Sequence, residues 1–210
     1  NSAIDGLYVR LAGRNSRKTG TKIMYMAHGF HFCKGVSLER WLIYYPIEKL
    51  LSYFTDILIT MNNEDFMLAT SKLHSKATFC IPGVGVDTTK YAYLTINKEE
   101  KRRELGIPNE AIILLSVGEL TKRKNHEVII KALSKINNKE VHYVIAGMGK
   151  LESYLRDLIR SLNMDQNVHF LGYRRDIGEL CKCSDIFCFP SLFEGLGIAG
   201  IEAMSVGMPI

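Results

Sequence analysis

Pro190-Ser191-Leu192-Phe193-Glu194-Gly195-Leu196-Gly197-Ile198-Ala199-Gly200-Ile201-Glu202-Ala203-Met204 carries more structural information than any other part of the chain. It follows an apolar run from Asp185 to Phe189, turns at a proline, and sets two glycines ahead of a helix-period segment marked by Ile198, Ile201 and Met204. A strand, a glycine-rich turn and a helix N-terminus are predicted. Such a junction aims unpaired backbone N–H groups and the positive end of a helix at one place, which favours anions and above all phosphates. Glu194 and Glu202 flank that place. Two carboxylates repel a phosphate, so their partners are hydroxyls, as on a sugar ring or a ribose. The segment reads as a nucleotide-sugar site.

Working outward, the 210 residues are 47% hydrophobic and 23% charged, the balance of an ordinary globule with a sizeable core. No apolar run approaches the roughly 18 residues of a membrane span, and no basic-then-apolar leader opens the chain. The five cysteines suit free thiols in a reducing cytosol, and Cys181-x-Cys183 lacks the second pair a metal site needs, so no metal is expected. The net charge is +5, with Arg10, Arg14, Arg17, Lys18 and Lys22 crowded near the start. They read as a solvated face, with attraction to anionic headgroups or a polyanionic acceptor as the second reading. Without interleaved aromatics they offer no nucleic-acid platform.

In chain order, Ser2 with Asp5 resembles a capping box before a helix through Leu11. Strands are expected at Lys22 to Ala27, Asp56 to Thr60 and Thr78 to Ile81. A helical region from Leu38 to Tyr53 is expected to break at Pro46, and Asn62 or Asn63 to cap a helix through Leu73. Pro82-Gly83-Val84-Gly85 interrupts the pattern, and the polar stretch to Asn97 marks a domain junction. Beyond a short helix capped by Asn97 the rhythm becomes regular. Strands at 112–117, 141–146, 168–171 and 185–189 alternate with helices at 126–136 and 151–162 and one capped by Asp176. Apolar strands alternating with helices indicate a parallel sheet covered on both faces, whose ligands bind beyond the strands' carboxyl ends. His28, Glu119, Gly147 and Glu194 fall at such ends.

Gly147-Met148-Gly149 lacks the third glycine of a dinucleotide fingerprint, since Glu152 stands in its place, so no nicotinamide cofactor is expected. Thr121-Lys122-Arg123-Lys124-Asn125, between a strand and a helix, reads either as a solvated basic loop or, from its position at the carboxyl edge, as a diphosphate contact. His28, followed by Gly29, is a strand-end histidine suited to a structural hydrogen bond or to a ligand passing close to the backbone. Trp41, Tyr44 and Tyr45, beside Arg40 and Lys49, read as core aromatics, with a membrane-interface contact as the minority reading.

Ser191, Glu194-Gly195, Gly197 and Glu202-Ala203 match the E-x7-E signature of the retaining family 4 (group 1) glycosyltransferases. Val117-Gly118-Glu119-Leu120 with Lys124-Asn125, Ile145 to Gly149, and Ile81 to Asp87 support the resemblance. Ala27 to Phe32 with Tyr45 to Glu48 resembles the capsule and exopolysaccharide branch. The resemblance implies an α/β GT-B fold of two facing Rossmann-like parallel-sheet domains, both incomplete in this chain. Residues 1–90 would be the later part of the acceptor-side domain and 91–210 the earlier part of the nucleotide-sugar-binding domain.

It also implies a retaining, metal-independent transferase that uses a nucleotide-sugar, UDP-linked, as substrate and needs no cofactor. The acceptor would be a glycan or polyprenyl-diphosphate-linked sugar, and the location cytoplasmic, at the inner face of the cell membrane. His28, Glu194 and Lys124 would be catalytic, His28 fitting better than His31. Gly118, Arg123, Lys124, Gly147, Glu194, Gly195, Leu196, Gly197 and Glu202 would bind the donor. Glu119 stands where the family carries an arginine, which leaves Arg123 as its replacement. A GT-B sugar-nucleotide epimerase and a non-catalytic sugar-nucleotide-binding module are the alternatives. The 210-residue chain is expected to be part of the enzyme and inactive alone.

Overall fold

The computed structural model describes residues 3–33 and 35–210; the proposed Ser2 cap lies outside them. Contacts divide the chain into two compact units, one of residues 1–85 with Glu194–Leu196, the other of residues 86–193 with 197–210.

The first unit holds a three-stranded parallel sheet, β1 (Met24–Ala27), β2 (Ile57–Thr60) and β3 (Ala77–Cys80), in that spatial order. Its helices are α1 (Ala3–Ala12), α2 (Leu38–Ser52) and α3 (Asn63–Lys72). Asn62 caps α3 by accepting from the Asp65 N–H at 2.7 Å. Contrary to expectation, α2 runs unbroken through Pro46. Pro46 and Leu42 are both exposed, so the carbonyl that proline leaves without its helical donor is open to water.

Arg10 is no solvated cation either. Only 1% exposed, it forks onto both Glu48 carboxylate oxygens, donates to Gly6 O at 2.8 Å and lies over the Tyr25 ring. Arg17 likewise donates to Asp56, whose carboxyl is held well below the ordinary range by Arg17, the Ile23 N–H and Lys76. Two of the five clustered basic residues are therefore structural. Trp41 and Tyr45 pack edge-on to Phe32, while Tyr44 is exposed and lies against His31.

The second unit begins with α4 (Thr88–Ala92), capped by Asp87, in the polar stretch that the sequence marks as the domain junction. Then come α5 (Lys98–Glu104), β4 (Ile112–Val117), α6 (His126–Ile136), β5 (Val141–Ala146), α7 (Glu152–Ser161), β6 (Val168–Gly172), α8 (Ile177–Cys183), β7 (Ile186–Phe187) and α9 (Ile198–Ser205). Asn97 caps α5 as expected. Asp176 does not make the expected side-chain cap on α8, because Arg174 and Lys101 claim its carboxylate.

All four strands are parallel, in the order β6-β5-β4-β7. The period-two alternation divides the core into two layers. Ile113, Leu115 and Val144 face one way, toward Leu180 of α8 and Ala203 of α9. Tyr143 and Ile145 face the other, toward Ile130 and Leu133 of α6 and Leu155 and Ile159 of α7. Each fully buried aliphatic contributes about 1.5–3 kcal/mol.

This order places a reversal between β4 and β7. From β4 the chain moves outward through β5 to β6, then returns to the other side of β4 as β7. A crevice opens at such a switch point, beyond the carboxyl ends of the two strands.

Candidate functional site

Two turns border that crevice, one leaving β4 and one leaving β7. After β4, Gly118 takes φ +156°, and a Cβ there would fall 2.8 Å from Cε of Lys124. The lysine stem therefore lies on bare backbone, with Nζ 5.6 Å from the centroid of the Phe189 ring. Asn125, at φ 54°, turns the chain into α6. Arg123 donates to Phe193 O at 3.3 Å, and its carbonyl accepts from the Leu192 N–H at 2.9 Å. Asn125 Nδ2 donates to Pro190 O at 3.3 Å. The basic loop and the Pro190–Phe193 turn are thus fastened together, and Arg123 performs part of that fastening.

The glycines of Gly147-Met148-Gly149 have a packing cause. A Cβ on Gly147 would lie 1.9 Å from Gly118 O, and one on Gly149 2.6 Å from Leu120 N. The segment is a strand end pressed against the β4 turn. Gly197 caps α9, its carbonyl accepting from the Gly200 and Ile201 N–H groups, and a Cβ on it would fall 2.5 Å from the Phe189 ring. Helix geometry leaves the first N–H groups of α9 pointing outward from this end.

Beneath the β4 turn runs a buried polar chain. Ser116 Oγ donates to Cys188 O at 2.6 Å, and the Tyr143 hydroxyl donates to Ser116 Oγ at 2.9 Å. With its proton so engaged, that hydroxyl accepts from His126 Nδ1 at 3.0 Å, which fixes the neutral tautomer. His126 Nε2, at the first residue of α6, and Thr121 Oγ1, in the β4–α6 turn, are buried and make no hydrogen bond among the described residues. Burial and the nearby Lys124 push the His126 imidazole down to about 4, against the opposing pull of the Glu119 and Gly118 carbonyls. Sequence reasoning missed this histidine, since nothing local distinguishes it from any polar helix start.

Glu202, on α9, accepts a hydrogen bond from the Tyr91 hydroxyl of α4 at 2.6 Å. That contact joins residues 111 apart in sequence, and Tyr91 has no local signal either. Glu119 is exposed at the β4 end.

Gly118, Arg123, Lys124, Gly147, Gly197 and Glu202 therefore all belong to the second unit, Gly118, Arg123, Lys124 and Gly197 on the turns that leave β4 and β7. Glu194, Gly195 and Leu196 group with the first unit, as does His28. There His28 is exposed just past β1, and a Cβ on Gly195 would fall 1.7 Å from its carbonyl oxygen. Cys181 and Cys183 are buried in α8, where burial raises both thiols, Cys181 to about 12. No helix among the described residues is long and apolar enough to cross a membrane.

A doubly covered parallel sheet with a basic loop and a glycine turn at its switch point defines a nucleotide-binding α/β class. Residues 97–210 match the family of glycosyl transferases group 1, and the chain belongs to that family. It is similar to the Bacillus subtilis protein EpsD, 37% identical over all of this chain and 56% of that protein. An Escherichia coli UDP-Gal:alpha-D-GlcNAc-diphosphoundecaprenol alpha-1,3-galactosyltransferase is 31% identical over 89% of this chain and 50% of its own length. The chain thus spans about half the length of these relatives. Among solved structures, Anabaena Alr3699/HepE in complex with UDP and glucose superposes with a TM-score of 0.79 at 21% identity, covering 97% of this chain and 56% of that one. WaaG, a glycosyltransferase involved in lipopolysaccharide biosynthesis, superposes with a TM-score of 0.74 at 21% identity, covering 96% and 62%. These likenesses establish the GT-B fold class.

Proposed function

We propose that the full-length protein is a retaining glycosyltransferase. It would move a sugar from a UDP-linked donor to a glycan or lipid-linked glycan acceptor in cell-surface polysaccharide synthesis. The observation that carries this reading is the placement of Lys124 and the Gly197 helix start on the two turns that border the β4–β7 switch point. In this reading residues 91–210 hold the donor and residues 1–90 form the later part of the acceptor side, against the inner face of the membrane. The name of the Escherichia coli relative, with its UDP-Gal donor and diphosphoundecaprenol-linked acceptor, favours the same substrate classes.

The bond from the sugar's anomeric carbon to the diphosphate breaks, leaving an oxocarbenium-like sugar. The acceptor hydroxyl attacks from the same face and passes its proton to a phosphate oxygen. Lys124, with Arg123 and the N–H groups from Gly195 to Gly197, stabilises the leaving charge without a metal. Gly118 and Gly147 serve the donor through packing, Gly118 by leaving room for the Lys124 stem and Gly147 by letting its strand end press against the β4 turn. Glu194 holds sugar hydroxyls, Glu202 the ribose, and His28 positions the reacting sugar.

Two measurements on the full-length enzyme test these roles. Glu194→Gln should lower turnover about ten- to a hundredfold with little change in UDP affinity, because it removes charge-assisted bonds that strengthen in the transition state. Glu202→Gln should instead weaken UDP binding. Equal, small effects in both variants would sink the assignment. Separately, Lys124→Ala should remove about 1.5–3 kcal/mol of the advantage of UDP over uridine, a charge-assisted contact to phosphate, and Arg123→Ala less. An unchanged UDP-to-uridine ratio in Lys124→Ala would return the loop to a solvated surface. Release of UDP from donor only when a lipid-linked acceptor is present would separate transfer from mere binding, a distinction that Glu119 in the arginine position makes worth drawing.

A further inference from the structure

We propose that Tyr91 is a positioning residue for nucleotide recognition, its hydroxyl anchoring one oxygen of Glu202 so that the other is presented to the ribose. The inference rests on the reading of Glu202 as the ribose acceptor.

Tyr91 lies in α4, which packs on α9, and its hydroxyl donates to Glu202 Oε1 at 2.6 Å. Among the described residues this is the only hydrogen bond to that carboxylate. The ring is seated by the absence of a side chain. Gly178 of α8 is buried, and a Cβ on it would fall 3.0 Å from Tyr91 Cδ1 and 2.7 Å from Leu94 Cδ2. With the ring fixed from behind, the hydroxyl has one direction in which to reach. Burial first, and then the Glu202 carboxylate, push that hydroxyl up to about 12, so it stays protonated and donates throughout the working pH range.

The physical consequence concerns entropy and geometry together. A free glutamate must surrender its rotamers when it grips a ligand, whereas one held by Tyr91 has already done so. An anchored carboxylate also offers a single oxygen at a set height, which suits a hydroxyl on one ring carbon. Tyr91 thereby belongs to the selection of ribonucleotide over deoxyribonucleotide, although it need not touch the nucleotide itself.

Calorimetric titration of the full-length protein with UDP, 2′-deoxy-UDP and 3′-deoxy-UDP tests this, with melting temperatures as a check on folding. Tyr91→Phe keeps the ring on Gly178 and should weaken UDP binding about three- to tenfold. At least one deoxy analogue should bind it as tightly as it binds the wild type. Glu202→Ala should abolish the preference for UDP, and Tyr91→Phe in the Glu202→Ala background should change nothing more. If Glu202→Ala abolishes the preference while Tyr91→Phe leaves UDP affinity unchanged, or weakens all three ligands equally, Tyr91 has no positioning role and the ribose reading stands. If Glu202→Ala retains the full preference, the ribose reading fails and the inference falls with it. Should Tyr91→Phe not fold, Gly178→Ala, which crowds the ring from behind, carries the same expectation.

Discussion

Arg102→Leu should lower the unfolding free energy of the second unit by about 3–5 kcal/mol, the cost of removing a buried guanidinium that bonds three carbonyls and a partly exposed carboxylate. Arg102, on α5, is 4% exposed and donates to Cys183 O at 2.9 Å, Ala111 O at 2.8 Å and Asp185 Oδ2 at 2.7 Å, and also to Asn109 O. Asp185 in turn accepts from the Ile113 N–H at 2.8 Å and from Lys98. Although burial opposes its ionisation, these donors hold the Asp185 carboxyl below its usual range. One guanidinium thus ties the entries of β4 and β7 to α5 and to the end of α8. Removing it strands three carbonyls and leaves the carboxylate with weaker partners. Arg102→Lys keeps the charge but not the planar fork, and should recover only part of the loss. Urea unfolding measures both variants, and a loss below about 1 kcal/mol in Arg102→Leu would show that water replaces the guanidinium. The cluster lies at the opposite end of the sheet from the two turns, so UDP affinity of the folded fraction should be unaffected.

The second large effect is on pH. His126 has its imidazole depressed to about 4 in the fold, against an ordinary value near 6.5. Above pH 6.5 folded and unfolded forms are both neutral here, and this residue contributes no slope. Between about 6.5 and 4 only the unfolded form takes up the proton, so stability falls as pH falls. Below about 4 both forms are protonated and the loss is complete, at about 3 kcal/mol. His142 and His169 are depressed as well, both chiefly by burial, and lose stability in the same direction. Only the difference between wild type and His126→Gln therefore isolates this site. Urea midpoints from pH 7.5 to 4 should converge as pH is lowered, and parallel curves would refute the assignment.

The sequence was most legible where local and global preferences agree. The bounds of β4, α6 and β5 coincide with those read from periodicity, because buried parallel strands and a strongly amphipathic helix leave few alternatives. Asp185–Phe189 reads as five strand residues, yet only Ile186 and Phe187 pair in the ladder. Asp185 and Cys188 each keep one main-chain bond to β4, at Ile113 O and Leu115 O, and beyond Cys188 the chain turns toward the loop. The helix α4 was hidden because five residues, two of them threonine, produce no periodicity, although Asp87 is a legible cap. The glycine turns, Lys124 and Glu202 were visible as spacing. Tyr91 and His126 were not, since each acquires its meaning from a partner far along the chain, and local propensity does not encode such pairings.

The shortness of β7 bears on which residues set the path of the loop that follows it. After two paired residues and a last main-chain bond from the Cys188 N–H to Leu115 O, the side chains of Ser116, Asn125 and Arg123 reach the backbone at Cys188, Pro190 and Phe193, beside one main-chain bond from the Leu192 N–H to Arg123 O. The path of that loop is therefore fixed in part by side chains outside the main-chain ladder. Substitutions at Arg123 and Asn125 can re-aim it while β4, β5 and both core layers stay intact. In the proposed reading, where this loop borders the donor, its path and the stability of the sheet are mutable at different addresses.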